Sequence, residues 1–376
     1  MGRRRIIKRY GLCPDGTLPG PLDTKYSITL SGVPTGTGMY QQSLKIDPAT
    51  YGINTAGSNV LFYDGSNNTE LYAWLESINS TSALYWVKNY DGSSTINMYV
   101  YPSTDNFFSS TGYLGEVPQL SATYGQYDNG VKVFNNYWNF AGTSLPSGWT
   151  VPSGSNYTVN NGFIGEPSGG STLAVYNPSI QETGSIIAEW GINLSSTSYP
   201  ANQFYFQLNR YSDNSNMHFL GAQGSDTLSN YNIQPATETI ASNGIHVFGI
   251  WNNGTTVDWL YNDGVLYSDT SATAVTDYLS LGWASNSQSY NFPTIYYVRD
   301  RVYVSSMPTF TIGTGASYYS VSFKESGLPS GTEWWANVTG QSSVSSTSAY
   351  ANLTNPLPNG TLAPLTVILP APGEGL

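Results

Sequence analysis

FGIWNNGTTVDWLYNDGVLYSDT, Phe248 to Thr270, is the stretch whose reading decides the fold. Short runs of aromatic and β-branched residues are cut by two turn signals, Asn252-Asn253-Gly254 and Asn262-Asp263-Gly264. Asn, Asp and Gly tolerate the positive φ that tight hairpins demand, so the stretch predicts two consecutive β-hairpins. Around it lie more runs of the same kind: YTVNNGFIG, STLAVYNP, SIIAEWGINL, FYFQLNRYS, MHFLGAQ, LSLGWAS and TIYYVRDRVYV. About a dozen strands in one unit, residues 137–307, is the size of a jelly-roll sandwich.

Further out the same grammar continues. YSITL, NVLFYD, LYAWLES, ALYWVKNY and TINMYVYP alternate at the two-residue period of half-buried strands, and DGSNN, YDGSS and YPSTDN separate them. They define a first β-sandwich or jelly-roll unit, residues 25–136. A small Ig-like sandwich, residues 308–376 with a short tail, closes the chain. One motif occurs twice: YSITLSGVPTGTGMY (Tyr26–Tyr40) and YSVSFKESGLPSGTEWW (Tyr319–Trp335). In each, a strand runs into a Pro/Gly turn and re-enters a strand bearing aromatics, a way to begin a sandwich. No heptad or 3.6-residue apolar stripe is present, so little helix is expected and the fold class is all-β.

Composition supports this. Charged residues make up 10% of the 376, against about 25% in ordinary soluble domains, while there are 30 Tyr and 10 Trp. So many aromatics exclude a disordered chain, and no apolar run approaches the roughly 20 residues that span a bilayer. The net charge of −11 is uneven. Residues 1–24 form a basic arm carrying Arg3, Arg4, Arg5, Lys8 and Arg9 in its first nine residues, and the chain after those nine holds 8 basic and 24 acidic residues. Such an arm reads as an anchor on an acidic partner or as a solvated tail. MGRRRIIKRYGL is not read as a secretory signal, because Ile6–Ile7 is too short an apolar segment, and LTVIL (Leu365–Leu369) is too short for an anchor. Cys13 stands alone, so no internal disulfide is expected.

Tests for chemistry come back weak. Glycoside hydrolysis needs two facing carboxylates, and the strands offer isolated acids, Glu189 and Asp258, without an acidic neighbour at i+2 or i+4. His218 and His246 lack ligand spacing, no G-x-S-x-G elbow occurs, and no P-loop or dinucleotide fingerprint is found, so no metal, cofactor or specific nucleic acid is expected. The YDNG loop, Tyr127 to Gly130, suits Ca²⁺ or an ordinary turn. Trp138, Trp149, Trp251 and Trp283 are candidates for stacking on sugars, with core packing as the plainer reading. Eight N-x-S/T sequons, at Asn67, Asn79, Asn156, Asn193, Asn253, Asn337, Asn352 and Asn359, are candidates for glycosylation on exposed loops.

Particular segments also resemble known modules. FKESGLPSGT (Phe323–Thr332), Trp334 and LPNGT (Leu357–Thr361) resemble a repeat common in surface and secreted proteins of thermoacidophilic archaea, including thermopsin-like proteins. WNFAGTSLPSGWTV (Trp138–Val151) and IYYVRDRVYV (Ile295–Val304) resemble the opening and last strands of concanavalin-like lectin sandwiches. NVLFYDGSNNTELYAWLES (Asn59–Ser77) is similar to an uncharacterised β module that precedes such lectin domains in archaeal surface proteins. The combination resembles the turret or vertex spike proteins of icosahedral archaeal viruses. It implies a non-enzymatic virion structural protein at the particle surface, partnered by its own copies and other capsid proteins. The arm would be set in an acidic capsid or membrane-facing layer, and host glycans are a further expected partner. A cellular adhesin or secreted glycan-binding protein is the alternative, and a carbohydrase the third. With few acid–base pairs expected, the melting temperature should change little between roughly pH 7 and pH 3.

Overall fold

The computed structural model describes residues 23–33, 38–66, 69–150, 157–165 and 185–194 and the strands lying within 172–183 and 204–239. It further describes 244–253, 256–262, 264–269, 276–284, 294–319, 322–324, 328–338, 342–348, 350–352, 357–358 and 365–368. The basic arm, and with it Arg3, Arg4, Arg5, Lys8 and Arg9, lies outside the described residues. The chain is all-β: helix among the described residues is confined to two single turns, Pro48–Tyr51 and Gly130–Val133. No described helix is long and apolar enough to cross a membrane.

Two sheets build the first unit. Sheet 1 orders Glu70–Leu71, Val60–Asp64, Thr95–Val100 and Asp23–Ser31 side by side. Sheet 2 orders Tyr40–Ile46, Ala83–Asn89, Ala73–Ile78 and Leu114–Glu116. Alternation sends Ile28, Leu30, Val60, Phe62, Ile96, Met98 and Val100 inward from sheet 1. They meet Leu44, Ile46, Ala73, Leu75, Tyr85 and Val87 of sheet 2 in one apolar core.

The repeated motif has one job in both places. The first copy leaves Asp23–Ser31 in sheet 1, passes Gly32 (φ 82°) and Gly38 (φ 61°), and enters Tyr40–Ile46 in sheet 2. In the second copy, Ser322–Lys324 pairs with Tyr350–Asn352. After Gly331 (φ 83°) the chain enters Trp334–Val338, which pairs instead with Val344–Ser346 and Leu365–Ile368. Each copy is therefore a corner between sheets, and its left-handed glycine is the residue that turns the chain without a Cβ penalty. Trp334 of the second copy is buried, and its indole donates to the Ser348 carbonyl at 2.8 Å.

Sheet 3 runs Tyr157–Val159, Phe163–Gly165, Thr294–Arg301, Ile186–Leu194, Gly244–Asn252, Val257–Tyr261 and Gly264–Asp269. Asn136–Trp138 also pairs with Thr294–Arg301. Sheet 4 runs Thr172–Tyr176, Thr276–Ala284, Phe204–Arg210, Asn216–Ala222, Thr227–Asn230 and Thr237–Thr239 and touches sheet 3. The two hairpins expected within Phe248–Thr270 are both present, and Tyr261 pairs with Gly264 across a turn in which Asn262 takes φ 47°.

One boundary differs from the sequence expectation. Thr309–Ile312 and Ala316–Tyr319, assigned above to the C-terminal module, pair with Asp23–Ser31 in sheet 1, with Ile28 opposite Ile312 and Lys25 opposite Ala316. The returning segment supplies hydrogen bonds to what would otherwise be an open sheet edge. Leu357–Pro358 then pairs with Ala316–Tyr319, so the small C-terminal module is stitched to the first unit rather than hung from the second.

Candidate functional site: a buried joint between two sandwiches

In the strand Thr294–Arg301, alternation sets Tyr297, Arg299 and Arg301 on one face and Val298 and Asp300 on the other. Register places Arg299 opposite Glu189 on one side and Tyr137 on the other. Arg299 Nε donates to Glu189 Oε2 at 2.6 Å, and Arg301 Nη2 donates to Glu189 Oε1 at 2.8 Å. From sheet 2 comes Glu76, the extra residue of a β-bulge between Leu75 and Ser77. Bulges re-aim side chains, and here the carboxylate is aimed out of its own sandwich. Glu76 accepts from the Trp86 indole at 2.5 Å, from Arg299 Nη2 at 3.3 Å, and from the Tyr297 hydroxyl. All four charged residues are buried.

Aromatic rings close this ladder. The Arg299 guanidinium lies 4.6 Å from the Trp86 ring centre and 4.7 Å from that of Phe134, and Arg301 lies 4.7 Å from Trp86. Trp74 meets Tyr297 and Phe134 edge-on, both at 5.2 Å. The outward face of sheet 2 thus packs on the outward face of sheet 3, and the four sheets stack in the order 1, 2, 3, 4. Two glutamates balance two arginines, which is what a charged cluster needs to stay buried. Burial pushes the Glu189 carboxyl up, but the two guanidiniums together outweigh it and hold it at about 2. Glu189 is sealed and ionised, so the residue tested above as a hydrolytic acid is an anchor of the joint.

A third carboxylate secures the segment between Leu114–Glu116 and Asn136–Trp138. Asp128 accepts from the Trp74 indole at 2.9 Å, the Tyr137 hydroxyl at 2.8 Å, the Asn139 amide at 2.8 Å and the Gly130 N–H at 3.0 Å. Burial raises its pKa, with these donors opposing. The YDNG loop is thereby explained by turn and side-chain bonding, and among the described residues no group of three metal-type ligands occurs. Gln41 ties the same seam, donating to the Val133 carbonyl at 3.0 Å and accepting from the Val302 N–H at 3.0 Å.

The fit of the joint is tight at Gly191, where an added methyl group would overlap the buried Tyr297 ring. Gly191→Ala is expected to cost about 1–3 kcal/mol by overpacking, read as a lower urea midpoint with an unchanged slope.

The structure does not gather the four candidate tryptophans into one site. Trp138 and Trp149 pack edge-on at 5.2 Å, and Trp149 continues through Phe140 at 5.4 Å into the end of the sandwich core. Trp138 shares its row with Val298 and Trp190 on the inward face, whereas Trp251 shares its row with Ile187 and Arg301 on the outward face. Trp251 meets Tyr303 edge-on at 5.5 Å. Trp283 lies on Thr276–Ala284, its side chain outside the described atoms. His246 is buried, with Nδ1 2.8 Å from the Tyr261 hydroxyl. The side chain of His218 is outside the description.

Among the sequons, Asn79 sits in an exposed turn, its Oδ1 accepting from the Thr81 and Ser82 N–H groups, each at 2.9 Å. Asn193, Asn253 and Asn337 are half-buried. Asn352 lies on a strand with its side chain undescribed, and Asn67, Asn156 and Asn359 lie outside the described residues.

No protein-family model matches the chain. A segment of 81 residues, 20% of this chain, is 35% identical to part of uncharacterized protein 562 of Sulfolobus islandicus rod-shaped virus 1. The matched segment is 14% of that viral protein's length. Among solved structures, the Emp47p carbohydrate recognition domain is similar at 9% identity and TM-score 0.35, covering 44% of this chain and 93% of that one. SCLam, a family GH16 endo-β-1,3(4)-glucanase, is similar at 9% identity and TM-score 0.35, over 45% of this chain and 90% of that one. The endo-β-1,3-glucanase of Pyrococcus furiosus stands at 13% and 0.33, over 46% and 95%. Identities and scores this low speak to neither ligand nor activity.

Proposed function

We propose that this chain is a structural protein of an archaeal virus particle, a stiff β-stack displayed at the particle surface, with host glycans as its ligands and no catalytic role of its own. The observation that carries the reading is the joint: Glu76, Arg299, Glu189 and Arg301, boxed in by Trp74, Trp86 and Phe134, join the two sandwiches through buried ion pairs. An enzyme gains little from such a lock, whereas a projecting element that must hold its shape under load gains much. The segment shared with a protein of an archaeal rod-shaped virus supports a viral setting. The strands are short on surface charge, and the two acids at the joint, Glu76 and Glu189, are both paired in holding the layers together.

Antibody raised against the recombinant chain tests the proposal. It should follow the particle band in a density gradient and decorate particle surfaces in negative stain. Recovery of the chain only in the particle-free medium or in the host cell envelope would overturn it in favour of a secreted or cellular adhesin.

A further inference from the structure

Six tyrosines of the first unit lie around the edge strand Glu70–Leu71. Tyr99 and Tyr101 flank the inward-facing Val100, and Tyr99 meets Tyr63 edge-on at 5.3 Å. Tyr63 pairs with Glu70, two residues before Tyr72, which stacks on Tyr113 at 4.6 Å, and Tyr90 lies two residues beyond Lys88, whose N–H donates to the Tyr72 carbonyl at 2.9 Å. Register explains the first half: Lys25, Tyr99 and Leu61 share one row of sheet 1, and Asn97, Tyr63 and Glu70 share the next. The rings are half exposed, and Tyr90 is 40% exposed.

Two half-buried carboxylates, Asp23 and Glu70, border these rings. One oxygen of each, Asp23 Oδ1 and Glu70 Oε1, is buried without a hydrogen-bond partner, and Glu70 accepts from the Tyr63 hydroxyl, so further donors meet each carboxylate where it reaches solvent. Two ammonium groups, Lys25 over Tyr99 at 5.8 Å and Lys88 over Tyr90 at 5.6 Å, offset the two acids. The track is therefore near neutral and aromatic, with hydroxyls and carboxylates among the rings.

We propose that this tyrosine track binds a linear, uncharged oligosaccharide. Sugar rings lay their C–H faces on the tyrosine rings, and their hydroxyls donate to Asp23 and Glu70. A polyanion is disfavoured by the carboxylates. The reading deepens the glycan-binding part of the proposed function and moves it from the tryptophans of the second unit to the first unit. Its outcome is independent of whether the chain is found on particles.

Isothermal titration of the full chain with hexasaccharides of glucose, mannose and N-acetylglucosamine tests it, with hexalysine as the rival probe. At least one sugar should bind saturably, with an affinity insensitive to added salt. Tyr99→Ala should weaken it at least tenfold, and Glu70→Gln combined with Asp23→Asn several-fold. Tyr90→Ser serves as the variant least able to disturb folding, because its ring is the most exposed of the six, and it too should weaken binding of the sugar that titrates. The assignment fails if no sugar titrates, if the folded tyrosine variants bind as tightly as the parent chain, or if hexalysine binds better than any sugar and is released by salt.

Discussion

Arg299→Ala is expected to lower the stability of the chain by about 3–5 kcal/mol, because it leaves Glu76 as a buried charge without a cation and takes from Glu189 one of its two guanidiniums, leaving it Arg301. A loss of that size corresponds to a melting temperature roughly 10 °C lower in a molecule with domains of this size. The Arg299 guanidinium also fills the space between Trp86 and Phe134, so part of the loss is packing. A second set of variants separates the two contributions. With Glu76→Gln already in place, Arg299→Met no longer strands a charge, because Glu189 keeps Arg301, and most of the lost stability should return. Differential scanning calorimetry of the single and double variants reads this directly. A cost below about 1 kcal/mol for Arg299→Ala would mean that the carboxylates are reached by water, and the lock between the sandwiches would be lost as an explanation.

How much of this could be read from the amino acids depends on distance along the chain. Hairpins are local, so Asn262-Asp263-Gly264 announced its own turn. The corner motif was also local, since the left-handed glycines at Gly32 and Gly331 follow from the Pro/Gly spacing. The joint was not legible, because Arg299 and Glu76 are 223 residues apart. One signal was available. Arg299 and Arg301 stand two apart in a strand otherwise rich in tyrosine and valine, so both had to face the same way, and a buried pair of cations requires acids opposite. Glu189 was correctly singled out as an acid on a strand, but its role depended on a neighbouring strand that the linear sequence does not identify. The same limit hid the return of Thr309–Ile312 to Asp23–Ser31, which is a pairing between opposite ends of the chain. The tyrosine track escaped because its rings come from separated segments, and single tyrosines in strands read as ordinary half-buried residues.

Acidification is expected to leave the melting temperature unchanged or slightly higher from about pH 7 to about pH 4 and to lower it only on the approach to about pH 2. The scarcity of ion pairs in the sequence pointed to the absence of an early loss, and the structure adds two sets of carboxyls that act in different pH ranges. Glu189 is depressed from 4.5 to about 2, so its contribution is complete above the ordinary value and is lost as pH falls from about 4.5 through about 2. A shift of that size is worth on the order of 3 kcal/mol. Asp128, Glu116, Asp23 and Glu70 are displaced the other way, chiefly by burial. A raised acid holds its proton more tightly in the folded chain, so it adds stability as pH falls through its folded value, and the gain is complete below its ordinary value. The gains therefore come first on acidification and the loss comes last. Calorimetry at unit steps from pH 7 to pH 2 should show a plateau or slight rise followed by a fall, and in Glu189→Gln the final fall should be shallower from a lower starting point. A drop of more than about 20 °C already complete by pH 4 would require a paired carboxylate far more exposed to protonation than Glu189, and the joint could not then be what holds the layers together in acid.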